Sequence, residues 1–271
     1  MKRPVFFVSD RTGITVEMLG HTLLTQFPDG EFERISCPFV DSDDKLAAVV
    51  EQIDRAAARG AGRPLVFSSL VDPRLRAQLG RSAGALFDLF DTFIGPIETE
   101  LGMHPSHGVG LAHGMGVYNA YKQRIDAVNF ALLNDDGAMT RHYGEADILL
   151  IGVSRSGKTP TCLYLALHYG IRAANYPLTD QDLRSDRLPA VLAPYRDRLF
   201  GLTIDPVRLQ QIRTERRPGS PYADAAVCRA EVQGAEALFR HEHIAFLDTS
   251  VVSIEEIATT ILQRANLKRR I

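Results

Sequence analysis

The chain has 271 residues, 45% of them apolar and 24% charged, with a formal net charge of −2 at pH 7. That is the composition of a globular protein with an ordinary core, long enough for one large or two ordinary domains. Its charge balance gives no general drive onto nucleic acid or an anionic membrane.

The first apolar run, Val5–Val8, reads as a strand. It is far shorter than a signal peptide's apolar region and is followed at once by Asp10 and Arg11. No stretch approaches the roughly 20 apolar residues of a membrane span. Three cysteines, Cys37, Cys162 and Cys228, are widely spaced and read as reduced thiols. The expected compartment is the cytoplasm.

After Val8 a helix is expected with Val16, Leu19, Leu23 and Phe27 on one face. Glu33–Val40 is the next strand. The acidic stretch Asp41–Asp44 then caps a helix over Lys45–Arg59, which Gly60 and Gly62 end. Leu65–Ser69 reads as a third strand, and Pro73–Leu79 opens another helix. Residues 104–118, glycine-rich and carrying His104, His107 and His113, show no period and read as a mobile loop. A helix follows over Tyr121–Leu133, stopped by the turn Asn134-Asp135-Asp136-Gly137. The second half holds strands at Asp147–Ile151, Ile171–Ala174, Leu199–Ile204 and Ile244–Leu247. Helices over Thr159–Tyr169 and from Pro206, Tyr222 and Ser253 lie between and after them. Strands alternating with helices give an α/β fold with a mostly parallel sheet. Two domains are expected, an N-terminal α/β domain over 1–145 and a P-loop kinase-like, nucleotide-binding domain over 146–271. The basic runs Arg213–Arg217 and Lys268–Arg270 read as solvated helix ends.

The chemistry concentrates at Gly152-Val153-Ser154-Arg155-Ser156-Gly157-Lys158-Thr159, which fits G-x-x-x-x-G-K-[ST] between a strand and a helix. In such a loop successive backbone N–H groups and the helix N-terminus cradle phosphate oxygens. Lys158 would reach the terminal phosphates and the Thr159 hydroxyl would hold Mg²⁺. Pro160 falls in the first helical turn, where a missing N–H costs little. Arg155 could grip a second phosphate through its planar guanidinium, or simply face solvent.

Other carboxylates are ambiguous. Asp10, at the end of the first strand, could accept a proton or cap the next helix. Asp135 and Asp136 suit general base work or Mg²⁺ binding, and also suit a surface turn. Asp205 and Asp248 each end a strand, as does the second Mg²⁺-holding aspartate of phosphate-loop enzymes. The histidines, including His241 and His243, have no metal-ligand spacing.

The sequence resembles the bacterial phosphoenolpyruvate synthase regulatory proteins, relatives of the pyruvate, phosphate dikinase regulatory proteins. The resemblance runs through Ser9–Gly13, Arg63–Phe67, Asp135–Gly137, Gly152–Thr161, Arg172–Pro177, Gly201–Pro206, Arg213–Arg217 and Glu255–Thr259, and so spans essentially the whole chain. Arg11 departs from the pattern, where glycine is expected in many relatives. The resemblance implies a bifunctional enzyme that phosphorylates a threonine of phosphoenolpyruvate synthase with ADP as donor. It also implies removal of that phosphate by inorganic phosphate, releasing pyrophosphate, and a homodimer. Lys158 and the loop amides would then hold the ADP phosphates, Asp10, Asp135 or Asp136 would accept the threonine proton, and Arg155 would serve the reverse attack. Pyruvate, phosphate dikinase as target, a small-molecule kinase and a noncatalytic nucleotide sensor remain the alternatives.

Overall fold

A computed structural model describes residues 2–106, 118–185 and 187–270. His107 and His113 of the expected loop lie outside these residues. Among the described residues, eight strands form two separate four-stranded sheets, and every pairing is parallel. The chain divides into two compact units, Met1–Gly114 and Met115–Ile271. The boundary expected at 145/146 thus lies inside the second unit, because the helix Tyr118–Leu133 packs against the helix Lys158–Tyr169.

In the first unit the strands are β1 (Arg3–Val8), β2 (Phe32–Cys37), β3 (Leu65–Ser68) and β4 (Ala85–Asp88), ordered β2-β1-β3-β4. Alternate residues of β1 face opposite sides. Phe6 and Val8 meet α2 (Asp43–Ala58) and α3 (Pro73–Leu79) through Leu46, Val49, Ile53 and Leu75. Val5 and Phe7 meet α1 (Ile14–Leu24) through Val16 and Leu24. Helices on both faces explain why β1 reads as a continuous apolar run.

Several boundaries differ from the sequence reading. Helix α1 ends at Leu24 and buries Val16, Gly20 and Leu24. Leu23 and Phe27, expected on its apolar face, are exposed, because the chain turns at Thr25–Pro28 and the buried stripe keeps a strict four-residue spacing. The cap of α2 is Ser42, whose hydroxyl accepts the Lys45 N–H at 3.5 Å, rather than the acidic stretch as a whole. The short β4 and α4 (Leu89–Leu101) were not expected; α4 spaces Leu89, Phe93, Ile97 and Leu101 four residues apart, but Gly95 and Pro96 interrupt it and it buries none of its residues.

The second unit repeats the same strand order with β5 (Ile148–Gly152), β6 (Ala173–Pro177), β7 (Leu199–Thr203) and β8 (Phe246–Asp248), arranged β6-β5-β7-β8. One face carries α5 (Tyr118–Leu133), α6 (Lys158–Tyr169) and α10 (Ile254–Arg264) over Ile148 and Leu150. The other carries α8 (Pro206–Arg216) and α9 (Ala225–His241) over Leu149 and Ile151, with the four-residue α7 (Asp180–Leu183) beside α9. Strand β6 begins at Ala173, later than expected, since Ala173 pairs with Ile148 and Ile171 packs under α6 ahead of the ladder. The chain leaves β5 toward β6 and returns on the other side as β7. The carboxyl ends of β5 and β7 therefore form a topological switch point, the place where open α/β sheets bind ligands.

Candidate functional site

The loop after β5 sits at that switch point. Gly152 is there because nothing larger fits: a Cβ would stand 2.2 Å from the Leu202 carbonyl oxygen of β7. Gly157, at φ 86°, supplies the left-handed turn into α6. Arg155 is also left-handed at φ 76°, a conformation that a side-chain-bearing residue holds only when its surroundings impose it. The Arg155 side chain is exposed. Among the described residues the backbone N–H groups of Ser154, Arg155 and Gly157 donate to no protein acceptor. The Ser156 hydroxyl is fully buried and likewise without a partner. Free amides and an orphaned hydroxyl around one loop are the donors an anionic phosphate requires.

Lys158 opens α6, almost completely buried, and its Nζ donates to Val153 O at 2.8 Å. Burial lowers its pKa to about 8, against the opposing pull of the nearby Asp136, Cys162 and Asp135. Thr159 Oγ1 donates to Asp135 Oδ1 at 2.7 Å. The paired carboxylates are thus brought to the loop by the turn after α5, but they differ. Asp135 is half-buried and also accepts from Asn175 Nδ2 at 2.5 Å. Asp136 is exposed and left-handed at φ 49°, with its N–H held by Asn175 Oδ1 at 3.1 Å. Its carboxylate has no hydrogen bond among the described residues.

Asn175 is a residue that sequence reasoning passed over. It lies fully buried in β6 and holds the 134–136 turn through both side-chain atoms. The available signal was a polar residue inside an apolar strand next to the phosphate-loop strand. Arg213 was misread. It is not a solvated helix end but is 0% exposed, four residues from the buried Leu209 and so on the core face of α8. Its guanidinium donates to Glu231 Oε2 at 2.6 Å, to Ser154 O at 3.1 Å and to Tyr222 O at 3.1 Å.

The other candidates have local roles. Asp10 Oδ2 accepts the Val71 N–H at 3.1 Å within the first unit, and α1 is capped by Gly13 without it. Asp205 caps α8 by accepting from Val207 and Arg208, and Asp248 accepts from the Ser250 N–H. His104, His241 and His243 are exposed. Among the described residues there is no group of three or more histidine, cysteine, aspartate or glutamate side chains that could hold a metal ion. Nor, among them, is any helix long and apolar enough to cross a membrane.

A family model described as kinase/pyrophosphorylase matches residues 5–262. The chain belongs to the kinase/pyrophosphorylase family. Curated relatives match over nearly their whole length. A protein of Ectopseudomonas mendocina is 52% identical over 100% of both chains. One from Alkalilimnicola ehrlichii is 54% identical over 100% of this chain and 98% of its own. One from Marinobacter nauticus is 50% identical over 99% of each. Each of the three carries the name "Putative phosphoenolpyruvate synthase regulatory protein". Membership of the kinase/pyrophosphorylase family makes the 152–159 loop part of a phosphotransferase-type enzyme.

Proposed function

We propose that this chain is a cytoplasmic regulator of phosphoenolpyruvate synthase that works as an ADP-dependent serine/threonine kinase and a phosphate-dependent, pyrophosphate-forming phosphorylase. The observation that carries the reading is the phosphate loop at the switch point, with Lys158 at its foot and Asp135 against Thr159. Family membership supports the phosphotransfer, and the names of the relatives support the choice of target.

In the forward direction the target threonine oxygen attacks the β-phosphorus of ADP. The bond from that phosphorus to the bridging oxygen breaks, AMP leaves, and the threonine proton passes to a carboxylate. Asp136 is the proposed acceptor, since Asp135 is engaged by Thr159 and Asn175. In the reverse direction an oxygen of inorganic phosphate attacks the phosphothreonine phosphorus. The bond from that phosphorus to the threonine oxygen breaks, pyrophosphate forms, and the departing threonine oxygen takes up the proton released by the attacking hydrogen phosphate. The exposed Arg155 guanidinium is the proposed clamp for the incoming phosphate. Both directions need positioning and charge neutralisation more than covalent participation by the protein.

The Thr159 hydroxyl and the Asp135 carboxylate fit Mg²⁺. It is commonly held by one or two protein oxygens, with the rest of its shell from substrate phosphates and water. Bound there it would supply charge neutralisation to the phosphates. Asp10, tied to Val71, is proposed to hold the loop after β1 rather than to accept the proton. The family resemblance also supports a homodimer, which light scattering tests.

The deciding experiment incubates the protein with ADP and phosphoenolpyruvate synthase or pyruvate, phosphate dikinase, then locates phosphothreonine by mass spectrometry and assays AMP. Phosphothreonine on the synthase with equimolar AMP is expected. Modification that requires ATP and releases ADP would replace this reading by a conventional kinase.

A further inference from the structure

The phosphate loop is held from behind by a side-chain network centred on the buried Arg213, which the proposed chemistry does not use. Arg213 has its guanidinium 4.0 Å from the Tyr222 ring centroid and donates to the Ser154 carbonyl. The Tyr222 hydroxyl donates to Ser154 Oγ at 2.7 Å. Ser154 is therefore gripped at both its backbone and its side-chain oxygen by residues from α8 and from the short 3₁₀ turn Pro221–Ala223. Glu231 on α9 is paired with the same guanidinium and keeps it charged in the interior.

The consequence follows from peptide geometry. In a trans peptide the carbonyl and the next N–H point in opposite directions across one rigid plane. Fixing Ser154 O on Arg213 therefore turns the Arg155 N–H away from Arg213 and prevents that plane from flipping. The residue whose peptide is so fixed is also the one held left-handed. The two preceding carbonyls are tied as well: Val153 O accepts from Lys158 Nζ at 2.8 Å, and Gly152 O accepts the Leu178 N–H at 3.0 Å. The geometry points to Arg213 and Tyr222 as positioning residues that preset the 154–155 peptide so that the Arg155 amide can donate to a phosphate oxygen. This rests on the reading of 152–159 as the nucleotide site.

The test compares calorimetric affinities of the full chain for ADP and for inorganic pyrophosphate. Tyr222→Phe keeps the ring over the guanidinium and removes only the hydroxyl. Arg213→Lys keeps a charge beside Glu231 but loses the planar fork that reaches three acceptors. Both variants should keep the unaltered circular dichroism spectrum. Each should lose about five- to tenfold in affinity for ADP and by the same factor for pyrophosphate, the scale of one lost hydrogen bond. In the kinase assay KM for ADP should rise more than kcat falls. A packing role alone would lower Tm and leave the affinity of the folded protein unchanged. Folded Tyr222→Phe and Arg213→Lys that bind ADP as tightly as the unaltered chain would overturn this inference alone. An unaltered chain that binds neither ADP nor pyrophosphate would overturn the nucleotide site and this inference with it.

Discussion

On the proposed reading Lys158 joins two opposed demands: it must be charged to hold phosphate, and it is buried at the start of α6. Its folded pKa is depressed to about 8, so the ammonium is present below that pH and lost as pH rises through it. ADP affinity measured by calorimetry should be steady near pH 7 and fall above about pH 8, and Lys158→Ala should lose most binding at every pH while remaining folded. Affinity unchanged up to about pH 10 would show that the charge is not what binds. The two carboxylates should separate as well. Asp136→Asn should lower the kinase rate by about 10²–10⁴-fold, the scale of general base catalysis, and affect the phosphorylase rate less. Asp135→Asn should depress both directions, and Arg155→Ala chiefly the phosphorylase. Equal losses of both activities in all three variants would mean that these residues serve one shared step. The strand–loop–helix around residues 152–159 was legible because an apolar strand, two glycines and a helix start stand at fixed spacing. The division between Asp135 and Asp136 was not, since it depends on Asn175, 40 residues away in the sequence.

At the level of elements, the strand–loop–helix of β5 and α6 depends on the near approach of β7 to Gly152. Gly152→Ala would place its methyl 2.2 Å from a backbone oxygen that cannot retreat without parting the two strands. The expected cost is about 1–3 kcal/mol, read as a Tm lowered by several degrees, together with loss of ADP binding. A variant with unchanged Tm would mean that β7 yields freely. Asn175 ties β6 to the turn after α5. Asn175→Asp, which sets a second carboxylate against Asp135, should therefore harm kinase activity at neutral pH more than Asn175→Ala; the reverse order would exclude Asn175 as the orienting donor. Apolar runs buried on both faces announced β1, β3, β5 and β7. Short β4 and α4 were missed: β4 is only four residues long, and the apolar stripe Leu89, Phe93, Ile97 and Leu101 of α4 is masked by Gly95 and Pro96, which read as helix breakers. Arg213 hid for another reason: a charge on a core face looks like surface until its partner Glu231 is seen.

Across the whole molecule, two units of the same strand order each carry cores on both faces of their sheet. Ligand binding to the native second unit should stabilise it by about 2.7 kcal/mol at one hundred times Kd. Hydrogen exchange of the β5 and α6 amides should slow accordingly with ADP, and unchanged exchange would argue against a nucleotide there. The α/β class and two-unit plan were legible in the alternation of strands and helices. The placement of α5 was not, because an amphipathic helix does not reveal which sheet receives it. The cysteines give this architecture an unplanned use. All three thiols are free and buried, Cys37 in the first unit and Cys162 and Cys228 on opposite faces of the second sheet. Burial raises the pKa of each, that of Cys162 to about 12, so little reactive thiolate forms in the native state. Alkylation should then proceed only as each core opens, and peptide mapping of pulse-labelled protein would report three separate opening rates from one unmodified chain.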